Sequence, residues 1–386
     1  MDWQSPIDSG PVPDDESTFD VIVVGGGPGG SAAAAYMAMK GLNVLLLEKA
    51  VWPRDKTCGD AVGGKSLKHV EELGVKGTLE ATDHFRVDGI IFGAPNGKEV
   101  RISLPEDEVE NREAGYSLPR IQFDSLLFQN ANEKVLKAGG AVIQKFTVKE
   151  VHIENGAVTG ITGLHEKNSY HFTAPLTIGA GGYNCPVARA LVAHHDEPMV
   201  DKRHYCGAYR EYWTGVEGCG DWKGAIEIHF IDGVIPGYFW IFPVGDGVVN
   251  VGIGMVISEM DKQKVKLRGL QDWVINEDPK FSKRFANAKM VEKSGKGWQL
   301  PFGSPRKNAP SFQPRRAAMA GAMCIGDAAS LVDPFTGEGI GNALLSAKLA
   351  SDIFDIEKHR DGFTSESGDE YQSKLWEELS AELTNS

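Results

Sequence analysis

The chain has 386 residues, enough to bury a sizeable core in two domains or in one α/β domain carrying an inserted sheet. A net charge of −13 excludes a general attraction to nucleic acid or to anionic lipid surfaces, and 41% hydrophobic with 24% charged residues is a globular composition. The five cysteines form no C-x-x-C pair and the ten histidines no H-E-x-x-H spacing, so a reduced compartment and no metal are expected.

Residues 1–18, MDWQSPIDSGPVPDDEST, are acidic, proline-containing and aperiodic, and are expected to be a disordered leader. They have no basic or apolar region of a secretory signal, and no apolar run anywhere reaches the roughly 18 residues of a membrane span. A cytoplasmic protein is expected. Val21–Val24 then reads as a buried strand, followed by a glycine-rich turn and an alanine-rich helix over Ser31–Met39. Gly25, Gly27 and Gly30 have the G-x-G-x-x-G spacing: the first turns tightly, the second admits a pyrophosphate to the backbone, the third packs helix on strand. A second strand, Asn43–Leu47, ends at Glu48, whose carboxylate can accept hydrogen bonds from both hydroxyls of an adenosine ribose and would repel a 2′-phosphate. This favours NAD or FAD over NADP without choosing between them.

The loop Pro53–Val75 leads into a helix from about Lys65, and Arg54 is its cation nearest the nucleotide. Short strands are expected over 86–104 and a helix over 118–138, stopped by Gly139 and Gly140. Strands follow at about Ala141–Val148, Val151–Ile153, Val158–Leu164 and Leu176–Gly179. Tyr205–Met255 is strand after strand, an antiparallel sheet, with a helix over Lys262–Ile275 behind it. Met323–Ala350 returns to strand, loop and helix. The expected fold class is therefore α/β, a discontinuous Rossmann-like domain with an inserted antiparallel-sheet substrate domain. The expected boundaries are 19–81 with 117–182 and 296–355 for the nucleotide domain, 82–116 with 183–295 for the substrate domain, and 356–386 for a C-terminal helical tail.

The late segment CIGDAASLVDPFTGEGIGNALL decides the nucleotide. A dehydrogenase needs no second nucleotide contact so far from the first, whereas FAD is long enough to require one. Asp327 can hydrogen-bond the ribityl and phosphate region, and the helix N-terminus at Gly339-Ile340 directs backbone N–H groups and a positive dipole toward the flavin ring. Non-covalent FAD is the expected cofactor.

These segments resemble the para-hydroxybenzoate hydroxylase-like flavoprotein fold, and GYFWIFPVGDG resembles the Y-x-W-x-F-P signature of the geranylgeranyl reductase family. DKTCGDAV, LPRIQFDSLL and IGAGGYNCPVAR are similar to that family too, so the likeness covers about residues 19–385. It implies FAD contacts at Gly29, Glu48, Cys58, Gly59, Ala61, Arg120, Val148, Asp327, Gly339 and Ile340, and an FAD-dependent reduction of C=C bonds in a geranylgeranyl chain on a lipid or prenyl diphosphate. Two departures stand out. Ala180-Gly181-Gly182 replaces the family's A-D-G, which leaves the external electron donor open between NADPH and ferredoxin, and archaeal members continue past the point where this chain ends.

A prenyl C=C is unpolarised, so hydride from reduced flavin needs a proton donor beside it, and positive charge develops on the tertiary carbon. Tyr238, Trp240 and Phe242 share one face of a strand by period two and are assigned to the prenyl pocket, where aromatic faces stabilise a cation. Cys58, in the loop the family places beside the flavin, is the candidate catalytic proton donor. Asp60 is read as a solvated turn residue, Glu338 as a capping residue, and Lys65 and Lys68 as helix-surface residues. Two rivals remain: a flavin-dependent halogenase or monooxygenase, whose W-x-W-x-I-P this chain alters at Tyr238 and Phe242, and a non-enzymatic isoprenoid-binding or electron-transfer flavoprotein. An isoprenoid lipid substrate implies peripheral contact with a membrane.

Overall fold

VIVV at Val21–Val24 and VLLL at Val44–Leu47 are buried at every position, the pattern of parallel strands covered on both faces. In the computed structural model, which describes residues 5–110, 115–305 and 315–384, these are the central strands of a sheet. The chain runs β1 (Val21–Val24), α1 (Pro28–Met39), β2 (Val44–Leu47), β3 (Ala61–Gly63), α2 (Gly64–Glu72), α3 (Lys76–Glu80), β4 (Phe85–Gly93), β5 (Glu99–Ser103), α4 (Glu106–Glu110), β6 (Gly115–Ser117) and α5 (Arg120–Lys137). It continues β7 (Ala141–Ile143), β8 (Phe146–Glu154), β9 (Ala157–His165), β10 (Asn168–Thr173), β11 (Leu176–Gly179), α6 (Pro186–His194), β12 (Tyr205–Thr214), β13 (Lys223–His229), β14 (Gly237–Gly245) and β15 (Val248–Val256). It closes with α7 (Ile257–Gln263), α8 (Leu267–Glu277), α9 (Phe281–Arg284), β16 (Lys289–Met290), β17 (Lys296–Pro301), β18 (Ala318–Met319), β19 (Ala322–Cys324), α10 (Ile340–Ile353), α11 (Ile356–His359) and α12 (Ser365–Thr384).

The fold is α/β, with a discontinuous nucleotide-binding region and an inserted sheet domain. The nucleotide sheet has the order β18-β19-β11-β1-β2-β7, with β1 parallel to both β2 and β11. The second sheet has ten strands, in the order β16-β12-β15-β14-β13-β4-β6-β3 with β17 on β12 and β5 on β4. One of its faces is closed by α8 and α9 through Phe239, Ile241, Val251, Ile253, Phe281 and Phe285. The other carries Ile226, Ile228, Trp240 and Phe242, against which Ala61 and Leu300 pack.

Several elements differ from expectation. Residues 5–18 are tied down rather than disordered: Ile7 N donates to Trp52 O, Asn132 Nδ2 to Asp8 O and Gln144 Nε2 to Ile7 O, while Thr18 bridges Thr173. A polar segment can be held by its backbone alone, which composition does not report. Residues 1–4 lie outside the described residues, as do 111–114, 306–314 and 385–386 of the expected domains. The stretch Ala141–Val148 splits at Lys145, whose φ of 56° turns the chain from β7 into a separate β8-β9-β10 meander. β3 and β17 belong to the large sheet although their residues fall in the range expected for the nucleotide domain. α6 conversely packs on β8, β11 and β19. At such crossings the pairing partner is remote in sequence, and periodicity cannot name it.

Candidate active site

The turn between β1 and α1 is shaped by contacts that side chains would prevent. Gly25 sits at φ +111°, and a Cβ on Gly30 would lie 1.7 Å from the Gly25 carbonyl oxygen. α1 begins at Pro28 with Gly27 as its cap, and its first turn holds neither a capping side chain nor an acidic residue. Its N–H groups and the positive end of its dipole are thus left for an anion. Arg54 brings Nη2 to 3.3 Å from where a Gly27 side chain would begin, and its guanidinium lies 4.4 Å over the Trp52 ring. Glu48, just past β2, is buried, its two oxygens accepting from Gly26 N and Ala50 N at 2.8 Å.

The N-terminus of α10 converges on that of α1 because glycines permit it. A Cβ on Gly29 would stand 3.4 Å, and one on Gly326 2.9 Å, from Ala343 Cβ of α10. Asp327 lies between the two helices, with Oδ1 3.6 Å from the Cβ position of Gly339, the α10 cap, and Oδ2 accepting from Lys56 Nζ at 3.2 Å. Ile340 is the first residue of α10. Glu338 Oε1 accepts from Gly341 N at 2.5 Å, a capping contact. Arg120 opens α5, binds Asp124 through two bonds of 2.6 and 2.8 Å, and donates its backbone N–H to Asp60 Oδ1. Val148 lies in β8, whose first residue, Phe146, donates N–H to Glu48 O, and it packs half-buried on the core of the nucleotide sheet.

On the sheet face that carries Trp240 and Phe242, the register aligns side chains into rows that grade from apolar to polar. One row runs Val100, Phe92, Ile228, Trp240, Gly252 and Arg210 across β5, β4, β13, β14, β15 and β12. The neighbouring row contains Ile102, Ile90 and Ile226 at the apolar end and Phe242, Asn250 and Tyr212 at the polar end. Tyr238, Trp240 and Phe242 therefore do share a face, with successive ring centroids 6.0 and 6.4 Å apart. The row is anchored at both ends. The Tyr238 hydroxyl donates to Thr336 O in the loop before α10, and a Cβ on Gly59 would lie 2.7 Å from Phe242 Cε2. Cys58 is half-buried and unpaired with any other cysteine. Ala61 opens β3 and packs on the same apolar cluster.

Asp60 is where the sequence reading fails. It is 0% exposed and held at φ +71°, not solvated. Oδ2 accepts from Tyr212 OH at 2.6 Å and Asn250 Nδ2 at 2.7 Å, and Oδ1 from Arg120 N at 3.2 Å. Burial pushes its pKa up to about 6, with those hydrogen bonds and the Arg210 and Arg120 charges opposing the rise. Asn250, Tyr212 and Arg210 also escaped the sequence reading. The missed signal is VVNVGIGMV: by period two, Asn250, Gly252 and Gly254 share one face while Val249, Val251 and Ile253 line the other. Small and polar residues on one face of a buried strand mark a site.

Elsewhere, Lys65 donates to Asn342 Oδ1 and pairs with Glu382, so its ammonium is engaged. Glu99, Glu227 and His229 bring ligand atoms within 4.8 Å of one another, but Arg284 bonds both oxygens of Glu227 and Lys280 pairs with Glu99. The charge of that cluster is met by protein cations. Among the described residues no helix is long and apolar enough to cross a membrane.

Residues 18–205 match the FAD binding domain family and residues 206–295 the geranylgeranyl reductase catalytic domain family. A digeranylgeranylglycerophospholipid reductase of Methanosarcina mazei is 32% identical over 338 residues, 86% of this chain and 74% of the relative. The chain belongs to the geranylgeranyl reductase family. It is an FAD-dependent oxidoreductase related to enzymes that reduce isoprenoids. A menaquinone reductase of Mycobacterium tuberculosis is 29% identical over 347 residues, 88% of this chain and 77% of the relative. The crystal structure of a geranylgeranyl bacteriochlorophyll reductase-like protein from Thermoplasma acidophilum superposes with a TM-score of 0.76 at 26% identity, covering 94% of this chain and 84% of the other. A flavin-dependent brominase shares the fold at 19% identity, with a TM-score of 0.74 over 93% of this chain and 84% of the other, a likeness of fold alone.

The residues fit FAD. The uncapped α1 N-terminus with Arg54 beside it suits a pyrophosphate, Glu48 keeps acceptor capacity toward a ribose, and Asp327 stands at the N-terminus of α10, which packs against that of α1.

Proposed function

We propose that this flavoprotein saturates C=C bonds in an isoprenoid chain, a geranylgeranyl group carried by a lipid, a prenylated quinone or a prenyl diphosphate. The carrying observation is the graded sheet face, apolar through Val100, Phe92 and Ile228 and through Ile102, Ile90 and Ile226, aromatic at Trp240 and Phe242, polar from Asn250 onward. A prenyl tail lies along the apolar end with its reacting alkene at the aromatic step, beneath the Cys58-Gly59 loop. Bound FAD, once reduced, supplies the hydride.

The protein's own groups supply the rest. Trp240 and Phe242, both nearly buried, present ring faces to the carbon that gains positive charge and exclude the water that would trap it. Cys58, half-buried beside Gly59 and the aromatic row, is the group assigned to give a proton. Arg54, Glu48, Asp327 and the two helix N-termini bind and orient the cofactor. Toward a membrane, Val100 is 62% exposed, Ile102 51% and Phe335 52%. Val100 and Ile102 share the face of Phe92 and Ile90, so an apolar rim continues the pocket outward.

The test is anaerobic turnover of the dithionite-reduced protein with geranylgeranyl diphosphate, a geranylgeranylated glycerophospholipid and a prenylated quinone, read by mass gains of two hydrogens per bond. Reduced, FAD-loaded protein that leaves all three unchanged sinks the reading. Oxygen consumption stimulated by halide would replace it with halogenation.

A further inference from the structure

A buried carboxylate in a left-handed turn is costly to keep, and nothing assigned so far uses it. The hydrogen-bond partners of Asp60 are all neutral: a phenol, an amide and a backbone N–H. The guanidinium groups nearest it are bound elsewhere, Arg210 to Asp55 at 2.6 Å and Arg120 to Asp124. Lys296 in turn holds the other Asp55 oxygen at 2.7 Å. Asp60 is thus an anion that the surrounding structure orients but does not pair.

Its charge acts on Asn250 and, through it, on Trp240. The Asn250 amide nitrogen donates to Asp60 Oδ2 at 2.7 Å and to Cys58 O at 2.6 Å, leaving Oδ1 to accept from Trp240 Nε1 at 2.8 Å. Turned over, the amide would set its oxygen against a carboxylate and a carbonyl, and its NH2 against the indole N–H. Ionised Asp60 opposes that arrangement most strongly; a protonated carboxyl, itself a donor, relieves one of the three clashes, while Cys58 O and the indole N–H still hold the amide. The same amide ties the Cys58 carbonyl to the aromatic row.

Resting on the prenyl-reduction reading, we infer that Asp60 is a positioning residue for that reaction: through Asn250 its carboxylate pins and polarises the Trp240 indole and locks the Cys58 loop beside it. An indole whose N–H is drawn toward an anion-backed acceptor has a more electron-rich face for the developing cation. The groups facing Asp60 from neighbouring elements are Tyr212 and Arg210 on β12, Arg120 on α5 and Cys58 in its own loop. Tyr212 stays protonated, burial and the Asp60 charge both raising its pKa.

The experiment uses FAD-loaded protein labelled at the indole nitrogens, with the Trp240 N–H resonance assigned by its loss in Trp240→Phe. In the parent protein that resonance should shift with pH through a single titration near pH 6, about where burial places Asp60. Tyr212→Phe, which removes one donor to the anion, should move the midpoint upward, and Asp60→Asn should abolish the titration. Asp60→Asn should retain FAD, with kcat about tenfold lower and KM within about twofold, as loss of a purely transition-state interaction requires. A resonance flat between about pH 5 and pH 8, or one that still titrates in Asp60→Asn, overturns the inference, as does a variant with full kcat. Titration as stated in a protein that reduces no prenyl substrate would fault the substrate reading and leave the coupling standing. If Asp60→Asn does not fold, the direction of the Tyr212→Phe shift decides.

Discussion

Gly252 makes a quantitative demand on the aromatic row. A Cβ at that position would lie 2.1 Å from Trp240 Cζ2, 2.5 Å from Cε2 and 2.6 Å from Cη2. Carbon atoms at rest prefer about 3.5–4.0 Å, so the indole must withdraw by more than an ångström. It cannot swing freely, because Nε1 donates to Asn250 Oδ1 at 2.8 Å and both residues are buried. Gly252→Ala should therefore cost about 1–3 kcal/mol in overpacking. A further ~1–3 kcal/mol follows if the Asn250 oxygen is left without its donor. Against this stands a gain of roughly 0.5–1 kcal/mol from removing a glycine in a strand. The net expectation is a loss of about 1–5 kcal/mol in equilibrium unfolding of the FAD-loaded protein, with prenyl reduction abolished and the flavin retained. In a Trp240→Leu background the clash has no partner, so adding Gly252→Ala should cost under about 1 kcal/mol, giving a coupling energy of at least ~1.5 kcal/mol. Equal costs in the two backgrounds would refute the argument that glycine stands there to admit the indole.

Three further outcomes are expected. Asp60 has a folded-state pKa of about 6, above its unfolded value, so its ionisation opposes folding; its contribution is favourable at low pH and is lost as pH rises through about 6. Asp60→Asn should accordingly look better, relative to the parent, at about pH 7.5 than at about pH 4.5, by roughly 2 kcal/mol in denaturant titrations, and an equal difference at both would contradict the burial assignment. Asp327→Ala should release FAD on dilution more readily than the parent does, and unchanged retention would remove Asp327 from the cofactor site. Val100→Ser with Ile102→Ser should reduce co-flotation with neutral liposomes and turnover of a membrane-embedded prenyl lipid, while a short soluble prenyl diphosphate is reduced as before; loss on both substrates would place these residues in the pocket rather than at its rim.

The nucleotide half was legible because its devices are local. The glycines, the terminal Glu48 and the late Gly326-Asp327 each act through neighbouring backbone, and spacing alone reports them. That Tyr238, Trp240 and Phe242 share a face was legible for the same reason, three rings at period two on one strand. Asp60 was not, because its environment comes from strands more than a hundred residues away: Tyr212 and Asn250 reach it only once β12 and β15 have paired. A charged residue between glycine and alanine in a loop looks solvated until the sheet is folded over it. The disordered reading of residues 5–18 failed similarly, since Asn132 and Gln144 fix that segment from α5 and from the start of the meander.

The placement of charge around the aromatic row has a physical logic of its own. A cationic centre needs aromatic faces close by and no mobile base, yet a site lined only with hydrocarbon would raise the energy of any charge formed there. A carboxylate in contact with the substrate would answer the second need and violate the first, by removing a proton from the cation. Asp60 lies one amide away from Trp240, shielded by Asn250, and its two oxygens are occupied by three donors. On the prenyl-reduction proposal, its field would reach the reacting carbon while its basic lone pairs would not. That arrangement requires a residue small enough to leave the strand clear, which Gly252 provides, and a turn that drives the carboxylate inward, which the left-handed backbone at Asp60 provides. Both features destabilise the chain locally, and both converge on one indole.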